Sequence, residues 1–235
     1  VWHRYLGESR LPLEGRDQQK GSLLGTSYSD QEIKQFLRES GAVFEELPEK
    51  DIFSRTAERI EQGDVIGWFR GRMEYGPRAL GNRSIIADPR RKDMLDAVNL
   101  KIKYRESFRP FAPAVLEDDA EKYFHIGAKS PYMLLVGKVL ENREGEIPAV
   151  THVDGSARVQ TVAREDNPDF YRLLESFRER TGCSVLLNTS FNVRGEPIVE
   201  SPANAYRCFM RTGMDCLVVG NFLLQKENQP DGIST

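Results

Sequence analysis

The stretch "RVQTVAREDNPDFYRLLESFRERTGCSVLLNTS", residues 158–190, carries two different periodicities on either side of a proline and a glycine. "RVQTVAR" and "SVLLNTS" are short, β-branched and apolar, as strands are. Between them "DFYRLLESFRERTG" repeats its apolar residues at helical spacing, which makes an amphipathic helix packed on one side. Strand, helix, strand is the unit of an α/β domain. Working outward, "DVIGWFR", "SIIADP", "FAPAVL", "YMLLVGKV" and "DCLVVGNFLLQ" read as further strands. "SDQEIKQFLRES" reads as a helix capped by Ser29 with Glu32 three residues on. "FSRTAERIEQG" is a helix ended by Gly63, and "KDMLDAVNLKI" is one with Met94, Leu95, Val98 and Ile102 on a face. "SPANAYRCFMRTG" is a helix capped by Ser201 with proline in its first turn. Strands and helices are interspersed without a repeat, so the expected fold is α/β (α+β), one domain on a twisted mixed sheet flanked by helices.

The chain has 235 residues, 39% hydrophobic and 29% charged, enough for one sizeable core with an appendage. No apolar run approaches the roughly 20 residues that span a bilayer, and "VWHRYLGESR" lacks the apolar region of a secretory signal. Cys183, Cys208 and Cys216 show no CxxC spacing. They read as buried thiols rather than a disulfide framework, and the expected setting is the cytoplasm. Residues 1–25, with "LPLEGRDQQKGSLLGTS", read as the end of a preceding domain plus a linker, 26–226 as the compact domain, and 227–235 as a disordered tail.

The net charge of −3 hides an asymmetry: residues 64–113 carry eleven Lys/Arg against six Asp/Glu, a local +5 that leaves −8 for the remainder. A cationic block inside an acidic chain is a poor footprint for nucleic acid and suits a small polyanion held in one place. Its cations sit in turns. "EYGPRALGNRSI" (74–85) places Arg78 and Arg83 among glycine and proline, where a ligand can approach both the guanidinium groups and the neighbouring amides. "KIKYRESFRPFAP" holds Lys103, Arg105 and Arg109 within seven residues, and Pro110 and Pro113 prevent a helix from continuing. Arginine can grip phosphate oxygens bidentately while lysine supplies a point charge.

Two further clusters lie at strand ends. In "HVDGSARVQTV", Arg158 follows a Gly-Ser turn; Asp154 could restrain it or help hold a metal, and a lone His152 is a weak ligand candidate. In "LLNTSFN" an apolar strand delivers Asn188, Thr189, Ser190 and Asn192, suited to a neutral polar group or an adenine ring. Ser190 lacks the G-x-S-x-G pattern and a histidine at the spacing of a nucleophile. There is no GxxxxGK[ST] or GxGxxG, so any ATP is held by cations from several loops.

Together "GRMEYGPRALGNRSI", "LKIKYRESFRPFAPAV", "DGSARVQTV", "LLNTSFNVRGEPIVESPANA" and "CLVVGNFLL" resemble the C-terminal domain of the NodU/CmcH-type O-carbamoyltransferases, over residues 28 to 225. The resemblance implies a YrdC-like domain. Lys103-x-Arg105 and Ser190-x-Asn192 look like the KxR…SxN signature of that wider group. It implies that the domain condenses ATP, brought with Mg²⁺, and carbamoyl phosphate into carbamoyl adenylate. A Kae1-like N-terminal domain of the same polypeptide, with an iron-type metal not expected in this chain, then passes the carbamoyl group to a hydroxylated small-molecule acceptor. Carried over by position, Arg78, Lys103, Arg109 and Arg158 bind phosphates, with Asn188 and Ser190 on the nucleotide and carbamoyl moieties. Arg83, Arg105, Thr189 and Asn192 are further candidates for that pocket. Lys103, Arg109, Arg158 and Ser190 are the residues expected nearest the chemistry, and no metal ligands are expected. Two other readings stand beside it, a threonylcarbamoyl-adenylate synthase and an RNA-binding YrdC-like module. The long "EYGPRALGNRSI" and "RESFRPFAP" motifs weigh against the first, and the lack of interleaved aromatics against the second. No membrane partner is expected.

Overall fold

In a computed structural model, the structure describes residues 2–7, 19–104, 106 and 109–230. Ten strands form one mixed sheet, ordered β1-β10-β9-β2-β3-β8-β4-β7-β6-β5. They are β1 (Glu45–Glu46), β2 (Ile66–Phe69), β3 (Arg83–Ala87), β4 (Ala112–Leu116), β5 (Phe124–His125), β6 (Leu135–Val139), β7 (Ser156–Val162), β8 (Val185–Ser190), β9 (Cys216–Val219) and β10 (Phe222–Gln225). The pairs β2–β9 and β4–β7 are parallel and the rest antiparallel. The six α-helices are α1 (Trp2–Tyr5), α2 (Asp30–Glu39), α3 (Glu49–Glu61), α4 (Met94–Val98), α5 (Pro168–Thr181) and α6 (Pro202–Met210).

The strand–helix–strand reading of 158–190 is what the chain does: β7, α5 and β8 follow one another as expected. Asn167 caps α5 through Phe170 N–H with Pro168 in the first turn, and Gly182 ends it in the left-handed conformation at φ 77°. The capping box at Ser29–Glu32 forms. Helices α3 and α5 pack on each other, and α5 packs on β4 and β8. Helix α6 packs on β2 and β9, with α2 against α6. Phe53 of α3 meets Trp68 of β2, whereas Gly67, on the other face, lies against Phe191 and Met214.

Four expectations about local structure are corrected. "DCLVVGNFLLQ" is a hairpin and not one strand: Val219 pairs with Phe222 across Gly220 and Asn221, with Gly220 at φ 58°. A two-residue turn of that kind needs a positive φ, which glycine takes without strain. The helix over "KDMLDAVNLKI" is α-helical only to Val98 and widens into a π-turn over Asn99–Lys103, closed by Tyr104 N–H on the Asn99 carbonyl. Lys226–Asn228 form a short 3₁₀ turn, and the Gln229 side chain bonds the Val43 and Gln225 carbonyls, so residues 227–230 pack on the domain. Residues 231–235 lie outside the described residues. Within the expected linker, Tyr75 N–H donates to the Ser22 carbonyl and Gly25 N–H to that of Met73. Residues 8–18 of that linker lie outside the described residues.

The three cysteines are buried and free, and burial pushes their thiols up to about 11 for Cys183 and Cys208 and about 12 for Cys216. Among the described residues no helix is long and apolar enough to cross a membrane.

Gly81 shows how tightly the loop before β3 is seated. It sits at φ 107°, and a Cβ there would lie 2.2 Å from a carbon of the buried Phe170 ring. Gly81→Ala therefore combines overpacking with backbone strain and should cost about 3 kcal/mol. Thermal unfolding should show a midpoint lower by roughly 6–12 °C; an unchanged midpoint would mean that the loop is not packed on α5 in this way.

Candidate functional site

Sheet register brings the four polar clusters to one end of the molecule. Because β8 runs antiparallel to β3 and β4, and β4 is parallel to β7, the end of β8 lies beside the starts of β3, β4 and β7. The pairings Ala112↔Asn188 and Ala114↔Gln160 put Asn188, Ser190, Arg158 and Gln160 on one face. Thr189 pairs with Ile85 and alternates onto the opposite face.

The Arg78 loop is held from inside. The buried Glu74 carboxylate accepts, through Oε1, the backbone N–H groups of Leu80 and Asn82, both at 2.7 Å, and of Arg83 at 3.2 Å. Gly81 N–H is bound by Ser84 Oγ at 3.0 Å. Side chains below the loop take its carbonyls: Asn188 Nδ2 donates to Ala79, Gln160 Nε2 and Asn167 Nδ2 to Leu80, and Trp68 Nε1 to Gly81. These four amides are thus committed internally, which corrects the expectation that amides beside Arg78 are free for a ligand. Glu74, Gln160 and Asn167 have no signature in sequence; their roles arise from contacts between elements 80 or more residues apart, as with Gln160 and Asn167 on Leu80, or from a turn that buries Glu74.

The two arginines of that segment have opposite fates. Arg83 is fully buried, donates to the carbonyls of Thr26, Arg70, Gly71 and Asn82, and lies 3.6 Å from the centroid of the Phe69 ring. Burial lowers its pKa to about 10, against the opposing pull of Glu74. It is a structural clamp and does not reach a ligand pocket. Arg78 is half-buried and makes no side-chain hydrogen bond or ion pair among the described residues. Arg158 is also half-buried, and its Nε is enclosed without a partner. Burial, and then the nearby Arg78 cation, push the Arg158 pKa down. Two like charges face each other, and no carboxylate stands between them. Asp154 is engaged elsewhere, accepting from Ser156 N–H and Oγ at 3.0 and 2.6 Å. His152 Nδ1 lies 3.2 Å from Ser156 Oγ, and burial pushes its pKa down.

Asn188 completes this half of the site. Its Nδ2 donates to Ala79 carbonyl and to Gln160 Oε1, and Gln160 Nε2 is itself fixed by the Leu80 carbonyl. That chain of carbonyl anchors sets the amide's orientation and leaves buried Oδ1 with no donor. An unmet acceptor on the face that carries an unmet Arg158 donor is costly in a closed interior and calls for a ligand supplying both complements.

The other half is a cleft of about 210 Å³ lined by Lys103, Arg109, Ser190, Asn192 and Arg194, with Glu106 at its edge. Lys103 is 6% exposed. Its ammonium reaches the Ser190 carbonyl at 2.5 Å, Ser190 Oγ at 3.3 Å, and Asn192 carbonyl and Oδ1 at 2.9 and 2.8 Å. The expected Lys-x-Arg and Ser-x-Asn pieces therefore meet, at Lys103, Ser190 and Asn192; Arg105 lies outside the described residues. Ser190 Oγ in turn donates to Asn192 Oδ1 at 2.7 Å, which commits its proton to the strand end. Arg109 is more than half exposed and ion-paired with Glu106 at 3.1 Å. Arg194, which the sequence reading did not single out, adds a cation. Arg158 and Asn188 are two strands apart, about 10 Å, so the arginine pair and the lysine cleft form one cationic surface. Among the described residues no group of three or more His, Cys, Asp and Glu side chains could hold a metal.

Residues 57–226 match the family described as "Carbamoyltransferase C-terminus", and the chain belongs to it. The chain is 48% identical, over 84% of its length, to nodulation protein NolNO of Sinorhizobium fredii, and spans 30% of that protein. It is 43% identical over 70% of its length to a 3′-hydroxymethylcephem-O-carbamoyltransferase of Amycolatopsis lactamdurans, spanning 31% of that enzyme. The chain is thus well under half as long as the curated relatives it matches. These likenesses place it in the NodU/CmcH group. Full-length HypF, solved in a phosphate- and nucleotide-bound form, superposes with a TM-score of 0.50 over 83% of this chain and 22% of its own, at 16% identity. It shares the fold, and the expected mixed α/β, YrdC-like architecture is borne out.

Glu74 supports the site only through the loop it holds. Glu74→Ala strands three buried N–H groups and should cost about 3 kcal/mol or more. Glu74→Gln keeps an acceptor of the same shape and should cost clearly less. Urea unfolding of the two variants checks this; equal losses would show that the carboxylate's charge, and not its hydrogen bonds, is what matters.

Proposed function

We propose that this domain binds ATP and carbamoyl phosphate across the two halves of the cationic surface and joins them as carbamoyl adenylate. The observation that carries the reading is the unpartnered Arg78–Arg158 pair on the same side as the unmet Asn188 acceptor. A phosphate oxygen between two guanidinium groups converts their repulsion into two charge-assisted bonds. A carbamoyl NH₂ can donate to Asn188 Oδ1, which a simple phosphate or acyl group cannot do. The family's name, the cephem carbamoyltransferase relative and the nucleotide-bound HypF all support this choice of ligands.

In chemical terms, carbamoyl phosphate and one water give inorganic phosphate and carbamate. A carbamate oxygen then attacks the α-phosphorus of ATP, the bond from that phosphorus to the α–β bridging oxygen breaks, and pyrophosphate leaves. The protein supplies no nucleophile, since the Ser190 hydroxyl is committed to Asn192. Its contribution is to hold two mutually repelling anions together and to stabilise charge that grows on the phosphoryl oxygens. Arg78 and Arg158 take the carbamoyl phosphate side, with Asn188 reading the amide. Lys103, Arg109 and Arg194 take the triphosphate. Lys103 also holds Ser190 and Asn192 in register, so its role is partly positional. Thr189, on the far face of β8, has no direct part, and Asn192 acts through Lys103. The described residues do not provide a metal-ligand set, so magnesium enters as the counter-ion of ATP. Delivery of the carbamoyl group to a hydroxylated acceptor belongs to a Kae1-like partner domain.

The test uses calorimetric titration with MgATP and carbamoyl phosphate, then an assay of pyrophosphate release. The wild-type chain should bind both and release pyrophosphate only when both are present. Arg158→Gln should weaken carbamoyl phosphate binding at least about tenfold and abolish release. Because it also removes the repulsion with Arg78, its unfolding midpoint should be equal to or above wild type. Normal binding by a folded Arg158→Gln variant would overturn the assignment.

A further inference from the structure

Next to the lysine cleft lies a second cavity, of about 280 Å³, that no residue discussed so far occupies. Its walls include Tyr104, Val193, Ile198, Val199, Asn204 and Arg207, and Val193 is shared with the cleft. Tyr104 directly follows Lys103 in the chain. It is a non-glycine residue in the left-handed region, at φ 46° and ψ 50°. That conformation is strained for a residue with a side chain, and such strain concentrates where a group must be aimed. The ring stays 55% exposed, tethered by its hydroxyl, which donates to the Arg211 carbonyl at 3.4 Å.

The polar groups of this cavity are unequally used. Arg211 is paired with Glu196 at 3.6 Å. Arg207 is exposed and makes no ion pair or side-chain hydrogen bond among the described residues. Asn204 Oδ1 accepts from Ser201 N–H at 3.3 Å as part of the cap of α6, which leaves Nδ2 as a donor toward the cavity. The site therefore offers an aromatic face, a planar cation, an amide donor and a floor of branched aliphatics. A flat heteroaromatic ring with acceptor nitrogens meets all four needs. The volume is at the small end for ligand sites, enough for a ring system and not for a whole nucleotide.

We infer that this cavity receives the nucleobase of the nucleotide whose phosphates lie in the lysine cleft, with Tyr104 and Arg207 as its specificity-determining residues. The inference rests on the reading of that cleft as a triphosphate site. The chain order Lys103–Tyr104 then couples the two subsites: the π-turn that buries the lysine under the phosphates ends in the residue that presents a ring to the base. Base recognition here is by stacking and one donated hydrogen bond, so it distinguishes a nucleotide from a bare polyphosphate.

The experiment compares ATP with inorganic tripolyphosphate, each with Mg²⁺, by calorimetry on the wild-type chain and on Tyr104→Ala, Tyr104→Phe and Arg207→Ala. Wild type should bind ATP more tightly than tripolyphosphate. Tyr104→Ala and Arg207→Ala should each lose about tenfold on ATP, the scale of base stacking, and nothing on tripolyphosphate; Tyr104→Phe should behave as wild type. Arg207 is an exposed helix residue, so its variant keeps the test valid if Tyr104→Ala folds poorly. Unchanged ATP affinity in a folded Arg207→Ala variant would overturn the base pocket, and would leave the cavity to an acceptor or another partner. Tripolyphosphate binding as tight as ATP in wild type would overturn it while sparing the cleft. Failure of both ligands to bind would overturn the triphosphate reading, and the base pocket with it.

Discussion

The arrangement depends on one inward-facing turn. Residues 79–83 point their carbonyls and amides into the protein, where Glu74 and Ser84 take the N–H groups and Asn188, Gln160, Asn167 and Trp68 take the carbonyls. Hydrogen bonds to a buried carboxylate are stronger than neutral ones, and leaving their donors unmet is expensive. A turn held in this way cannot relax to let Arg78 move away from Arg158. Two guanidinium groups are thereby kept close without a counter-ion, which no folded protein requires for its own stability. The cost is local and electrostatic, and a bound anion removes it.

The sheet does the remaining positioning. Mixed strand direction gathers three strand starts and one strand end at a single edge, so residues between 78 and 192 in the sequence converge. Strand alternation then sorts them: Asn188 and Ser190 face the site, and Thr189 faces away. The π-turn after α4 swings Lys103 under the end of β8, where four oxygens surround its ammonium. No carboxylate is among those four, so the ammonium's charge remains available to the cleft beside it.

How much was legible in the sequence follows from what each signal depends on. Caps and periods are local, so α2, α5, α6 and the strands around 158–190 were readable. The hairpin at Gly220 and the π-turn at Asn99 were not, because an apolar run reads the same whether straight or folded, and a π-turn differs from an α-helix by one backbone hydrogen bond. Of the candidate site residues, Arg78, Lys103, Arg109, Arg158, Asn188, Ser190 and Asn192 do come to one edge. Arg83 looked equivalent to Arg78, and five positions decide between a free cation and a buried clamp; only the packing on Phe69 distinguishes them. Glu74, Gln160 and Asn167 carry ordinary residue types in ordinary contexts. Their importance is a property of long-range contacts that periodicity and motif spacing do not encode.

The central claim is that Arg78, Arg158 and the unmet Asn188 oxygen together recognise a carbamoyl group attached to phosphate. The most direct measurement is the ratio of affinities for carbamoyl phosphate and acetyl phosphate, which differ only in an NH₂ against a CH₃. If Asn188 Oδ1 accepts a hydrogen bond from the ligand, acetyl phosphate should bind about tenfold to a hundredfold more weakly, because it leaves that buried oxygen unpaired. Equal affinity for the two would contradict the claim and reduce the site to a phosphate-binding surface.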